Sequence, residues 1–330
     1  MTTDAAASPP AARPSGVRLL PSEGVEGKPV SLWRTAWRRL FQRRSAMVGL
    51  GILALLIGLA IFAPWIAPYD PQEILIGRED VGARDPACIH LLGCPADQPQ
   101  HLMGIDSNVR DLFSRVVYGA RYSLVIGFVS VTFAILIGTI LGALAGQVGG
   151  GIDNAIMRVM DVLLAFPALL LAIAIVAVLG PGLLNALIAI AIVSIPIYAR
   201  VMRASVLSTR EADYVSASRA LGADTFTILF RVVLPNAMTP LIVIGTLGIA
   251  TAILDAAALS FLGLGAQPPT PEWGSMLGKD RNQVFTSPHL VFFPGFAIML
   301  TVLSFNLLGD GLRDALDPRL GRKGTKLGEG

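Results

Sequence analysis

The chain has 330 residues, 53% hydrophobic and 15% charged, with a formal net charge of +3 and a mean hydropathy of +0.64. A soluble domain carries roughly 25% charged residues, so this composition cannot clothe a soluble surface of that length. A soluble enzyme, a disordered chain and a disulfide-dense secreted domain are excluded, the charge is too small to suggest nucleic-acid binding, and an integral membrane protein remains.

Residues from Met1 to about Val30 are rich in Ala, Pro, Ser and Gly without an apolar period, which predicts a flexible tail over 1–30. No apolar core follows a basic start there, so a signal peptide is not expected. Residues 31–45 form a basic segment in which Arg34, Arg38, Arg39, Arg43 and Arg44 directly precede the first apolar run. Such a flank marks the cytoplasmic side of a membrane helix and puts the N-terminus inside. A DNA-binding arm is the competing reading.

Six apolar segments follow, at about 46–67, 122–145, 157–179, 183–202, 238–264 and 289–308. Each is near the roughly 20 residues a helix needs to cross ~30 Å of hydrocarbon. Gly180-Pro181-Gly182 breaks the chain between the third and fourth, which predicts a hairpin rather than one long helix. An inside N-terminus makes residues 68–118 an extracytoplasmic loop. The cation-rich 203–231 segment and the C-terminal tail 311–330 are then cytoplasmic, as the positive-inside rule asks. Arg110, Arg115 and Arg121 run against the rule, with Asp106 and Asp111 beside them.

Both cysteines, Cys88 and Cys94, lie in the outer loop with five residues between them. Thiols outside the cytoplasm are not kept reduced, so a small loop disulfide is expected, with two unpaired thiols as the alternative. His90 and His101 flank the pair, but the arrangement matches no standard zinc spacing.

The segment from Glu211 to Asn236 reads as two short helices meeting at a glycine. Gly222 suits a helix C′ position, Asp224 or Thr225 can cap the second helix, and Pro235 ends the unit before the fifth span. Ala217, Ala220, Leu221, Phe226, Leu229 and Val232 are apolar yet outside the bilayer. Such a loop wants a protein partner or folds against its own helix ends. The residues alone leave both readings open.

Ser216-Ala217-Ser218, three residues, Gly222, nine residues, then Val232-Val233-Leu234-Pro235 resembles the E-A-A-x3-G-x9-I-x-L-P loop of ABC-importer permeases. Gly222, Leu234 and Pro235 match outright, whereas Ser216 replaces the acid, Ser218 an alanine and Val232 the isoleucine. The tract from Asp106 to Leu124 is similar to a signature of the dipeptide, oligopeptide and nickel permeases, with Ile105 in place of a threonine and Val109 in place of a glycine. Residues 253–274 and 306–318 resemble the C-type subunits of dipeptide permeases. The likeness covers roughly residues 35 to 320, but the cysteine-bearing insertion departs from the pattern.

This resemblance implies an all-α type I ABC-importer permease fold with six transmembrane helices and both termini cytoplasmic. It also implies a five-helix core over 119–310. Its coupling segment, 204–235, would seat Ser216, Ala217, Ser218, Arg219, Ala220, Leu221, Gly222, Ala223 and Asp224 near a groove of an ATPase subunit, with Leu234 and Pro235 closing the motif. The implied partners are a second, homologous permease, two ATP-binding subunits, an extracytoplasmic substrate-binding protein and membrane lipid. ATP and Mg would sit on the ATPase subunits, in a bacterial cell membrane.

Nothing in the residues makes this chain an enzyme by itself. No G-x-x-x-x-G-K-[S/T] phosphate loop occurs, and Gly149-Gly150-Gly151 lacks the following lysine. No nucleophile, base and orienting group fall into a recognisable set. Asp255, inside the fifth segment, costs about 2.5–3.5 kcal/mol if uncompensated, so it should face a wet path, an interface or a structural partner. Asp161 and Arg158 are placed to pair across one helical turn. Gly127, Gly138 and Gly142 are spaced for close helix packing. The rival readings are a secondary transporter or channel independent of ATP, which would predict internal repeats, and a non-transporting scaffold. Within the favoured family the cargo is dipeptides or short oligopeptides, with nickel, haem precursors or short oligosaccharides as alternatives.

Overall fold

The computed structural model describes residues 32–316, and the expected tail over 1–30 lies outside them. The described chain is helical apart from isolated bridges in the loop after the second helix. In order come α1 (Leu32–Gln42), α2 (Arg44–Ile66), α3 (Leu112–Val148), α4 (Gly150–Leu164), α5 (Ala168–Leu179), α6 (Leu183–Arg210), α7 (Asp213–Ala220), a short α8 (Thr225–Thr227), α9 (Leu234–Phe261), α10 (Trp273–Asp280) and α11 (His289–Leu316).

Five helical runs are long and apolar enough to cross a membrane: α2, α3, α6, the continuous stretch Thr225–Phe261, and α11. The third expected span is corrected. It consists of α4 and α5, which reach that length only together and are bent by 92°. Pro167 lies in the break at the start of α5 and has no N–H to carry the helical ladder across it, although the apolar run continues.

Three boundaries also move. The helix expected from residue 122 begins ten residues earlier, because Asp111 caps α3 by accepting the Ser114 N–H at 2.7 Å. The tail expected from 311 is helical to Leu316. Pro235 does not end the coupling unit, since the helix runs through it. A π-helical turn at Ile228–Val233 widens the backbone immediately before the proline ring, with Leu234 N–H donating to Leu229 O.

The bundle closes on small residues. A Cβ added to Gly138 would lie 2.7 Å from Tyr198 Cβ, one on Gly142 would strike the Ala199 carbonyl, and one on Gly127 would strike Ile253. Backbones of α3, α6 and α9 therefore approach closely, around buried Ile126, Ala134, Ala189, Ile190, Tyr198, Ala199 and Leu259. The turn between α5 and α6 uses glycine where glycine is needed, with φ of +91° at Gly180. Asn185 Nδ2 donates to the Leu179 and Gly180 carbonyls at 3.0 Å each. The expected pair within α4 is corrected as well: Asp161 binds Arg200 of α6, not Arg158. Asp153 takes Arg203 of α6 in a two-pronged contact, the Nη2 arm at 2.6 Å.

Candidate functional site

The α6–α9 segment stands beyond one end of the bundle. α7 carries Ser216, Ala217, Arg219 and Ala220 exposed and Ser218 half-buried, and Leu221, Gly222 and Asp224 are exposed after it. Ala223 is half-buried. Gly222 has φ of +87°, with no atom within 4 Å of where a Cβ would sit. The Asp224 carboxylate accepts the Phe226 and Thr227 N–H groups at 3.1 Å each. The Thr227 hydroxyl and then those backbone donors hold its carboxyl below the usual range.

One face of this unit is anchored. Val215, Ile228 and Val233 are buried against Met202, Val206 and Leu241, and Arg210 Nη1 donates to Gly146 O at 2.7 Å. The other face is bare: Leu221 is 88% and Phe226 73% exposed, and Phe226 stacks on Phe230. Leu234 is half-buried and Pro235 exposed at the helix surface. A rigidly held apolar ridge beyond the end of the bundle is thus left bare among the described residues.

At the opposite end, two tracts far apart in sequence meet. Residues 101–121 form the entry to α3, and residues 267–281 fold over it as a loop and α10. Glu272, 1% exposed, caps α10 by accepting the Gly274 and Ser275 N–H groups at 2.9 and 2.8 Å, and it also takes the Ser123 hydroxyl at 3.3 Å. Burial pushes its carboxyl above the usual range despite those donors. Trp273 fits against Gly119 and donates its indole N–H to Val116 O at 2.9 Å. His101, 2% exposed, lies between Asp111 and Glu79 and stacks on Tyr69, whose hydroxyl is pushed up to about 12 by burial and its bond to Glu79.

Val109, where the resemblance has glycine, is buried at φ of +57°. A β-branched side chain held there marks a locally strained turn.

Sequence reasoning named the arginines of this region as exceptions to a charge rule and as part of the resembling 106–124 tract, without a structural role. It missed the roles of Glu79, His101, Glu272, Lys279 and Asp280 altogether. Ser107 and Asp280 are 173 residues apart and Ser123 and Glu272 are 149 apart, so no local pattern connects them, whereas Glu79 and Asp111 lie 22 and 10 residues from His101. Cys88 and Cys94 are bonded, with Cα atoms 5.4 Å apart, and close a small lobe beside His101. Asp255 is half-buried on α9, flanked by buried Ile253 and Ala256, and forms no ion pair among the described residues. It lies in neither assembly.

Residues 138–322 match the family described as binding-protein-dependent transport system inner membrane component, and residues 31–85 match the N-terminal TM domain of oligopeptide transport permease C. The chain is 50% identical over 296 residues to the dipeptide transport system permease protein DppC of Alkalihalophilus pseudofirmus, covering 88% of this chain and 91% of that one. It is 50% identical to the di/tripeptide transport system permease protein DppC of Pseudomonas aeruginosa, covering 86% of this chain and 91% of that one. It is 46% identical to the glutathione transport system permease protein GsiD of Pectobacterium atrosepticum, covering 87% and 91%. Among solved structures, an inward-facing MetNI methionine ABC transporter chain superposes with a TM-score of 0.51 at 22% identity, covering 62% of this chain and 98% of that chain. At that identity the likeness is one of fold. The chain belongs to the family of binding-protein-dependent inner-membrane transport components, the ABC-importer permeases, and is a multi-pass membrane subunit rather than a catalytic enzyme.

Proposed function

We propose that the chain is one transmembrane subunit of an ATP-driven importer of dipeptides or short oligopeptides. It spans the membrane six times, counting α4 and α5 as one broken span, with both termini in the cytoplasm. The observation that carries the reading is 50% identity to two permeases named for dipeptide and di/tripeptide transport.

In this reading a second, homologous permease completes the translocation pathway, and an extracytoplasmic binding protein delivers the peptide. Two ATPase subunits carry ATP and Mg, and a groove of one of them seats the α7 ridge from Ser216 to Asp224, with Leu221 and the nearby Phe226 as apolar anchors. ATP binding must favour one arrangement of the two permeases over the other, otherwise the cycle does not advance. The anchored inner face and bare outer face of the ridge support that role: a coupling element must be stiff on the side that transmits motion. Asp255 is assigned to the translocation path, where a carboxylate suits a peptide's α-ammonium. Cys88 and Cys94 stabilise the extracytoplasmic lobe.

Glutathione is the second reading of the cargo, supported by relatives at 46–48% identity that are named for its transport. The test is uptake of labelled dipeptide, tripeptide and glutathione by cells with and without this gene. Loss of peptide uptake alone supports the first reading, and loss of glutathione uptake alone supports the second. Unchanged uptake of all three sets both aside.

A further inference from the structure

A small, partly open cavity of about 80 Å³ lies between the entry to α3 and α10, lined by Asp106, Arg110, Arg115, Lys279 and Asp280 among others. These five side chains carry three positive and two negative formal charges. Asp106, Arg110, Arg115 and Asp280 are each 5% exposed or less, and Lys279 is about one-third exposed.

One carboxylate serves all three cations. Asp106 Oδ2 accepts Arg110 Nε at 2.9 Å and Nη2 at 2.7 Å, and it is 3.9 Å from Lys279 Nζ. The same oxygen is 3.4 Å from Arg115 Nε, yet that buried N–H makes no hydrogen bond, because its direction misses the acceptor. Asp280 is engaged by the Ser107 hydroxyl. Arg115 spends Nη1 on the Pro71 carbonyl at 2.7 Å and on Pro269 O at 3.4 Å.

A surplus positive charge is costly among guanidinium groups buried as deeply as those of Arg110 and Arg115. Burial pushes the Lys279 amine below its ordinary pKa, with Asp106 opposing the shift and Arg110 adding to it. Water would fill the space but would not balance the charge. An anion would do both, and the volume admits one about the size of chloride or of a single carboxylate group.

We propose that this cavity is a binding site for one small monovalent anion, chloride or a carboxylate terminus. The anion accepts from Lys279 Nζ, offsets the surplus charge of the Arg110 and Arg115 guanidinium groups, and locks the α3 entry to α10. The site is independent of the cargo assignment, since only charge and space define it.

The test is thermal unfolding of the purified full-length chain in detergent across a chloride series, with ionic strength held by a bulky organic sulfonate, which carries no carboxylate to insert. The midpoint should rise with the logarithm of chloride concentration above its Kd, by about 5 °C at roughly a hundredfold excess. Lys279→Gln removes the surplus charge at a partly exposed position and should abolish the dependence, while Lys279→Arg should retain it. A rise with acetate and a free dipeptide, but not with chloride or the dipeptide amide, would assign the same site to a carboxylate terminus. A midpoint indifferent to all of these anions, or an equal chloride response in Lys279→Gln, would overturn the proposal.

Discussion

His101 Nδ1 lies 2.8 Å from one oxygen of Asp111, and the other oxygen of Asp111 accepts the N–H of Ser114 and so caps α3. A single buried carboxylate therefore joins the lobe closed by Cys88 and Cys94 to the start of the 37-residue α3. On the far side of the ring, Glu79 Oε2 is 3.1 Å from Nε2, and Tyr69 donates to Glu79 Oε1 at 3.0 Å.

That geometry makes stability pH-dependent. Burial opposes the imidazolium, but the bonds and charges of Asp111 and then Glu79 outweigh it and raise the His101 pKa above its ordinary 6.5. A raised folded-state pKa contributes stability that is fully present below the unfolded value and lost as pH rises through the folded one. The advantage of the native protein over His101→Gln should be greatest below about pH 6.5 and shrink above it. Unfolding midpoints of both proteins across that range measure it. A constant difference would mean that the ring stays neutral.

Glu272 is a buried cap with two backbone clients. Glu272→Ala orphans the Gly274 and Ser275 N–H groups and should cost about 3 kcal/mol, whereas Glu272→Gln keeps one acceptor oxygen and should cost less. Comparison of the two unfolding midpoints checks the order. Equal losses would argue that the charge rather than the capping matters.

Glycine packing gives a paired prediction. Gly138→Ala drives a methyl into Tyr198 and Ala199 and should destabilise by about 1–3 kcal/mol. Gly51→Ala on α2 meets nothing within 4 Å and should be neutral or mildly stabilising, by up to about 1 kcal/mol. Thermostability in detergent, read by size-exclusion chromatography, distinguishes them.

Much of this architecture is legible in the sequence because the bilayer imposes long apolar runs and the turns use punctuating residues such as Gly180 and Gly182. The break at Pro167 was hidden by the apolar residues on both sides, which satisfy length and hydropathy whether or not the helix is straight. Pro235 misled in the opposite way, since a π-helical turn absorbed it. The α7 ridge could be read because its glycine, cap and apolar residues are contiguous. The polar assembly around Asp106 and Glu272 could not, because its partners come from distant parts of the chain and only folding places Lys279 beside Asp106.

Gly222 separates folding from docking. With open space around it, Gly222→Val strains the backbone by about 1–2 kcal/mol and leaves the membrane spans untouched. The variant should insert and fold normally yet co-purify with less ATPase subunit than the native chain. Undiminished recovery of the ATPase would reduce Gly222 to an ordinary loop residue.

If the exposed Leu221 and Phe226 ridge makes this chain one of the two membrane subunits of an ATP-driven peptide importer, the ridge and the ATPase stand or fall together. The decisive experiment is purification of the tagged chain from native membranes, reconstitution, and assay of ATP hydrolysis with binding protein and dipeptide, alongside the Leu221→Asp and Phe226→Asp variants. The native chain should bring down a second permease and ATPase subunits and show peptide-stimulated turnover, and the two variants should lose both ATPase recovery and turnover. A chain that purifies alone and moves solute without ATP would contradict the importer assignment.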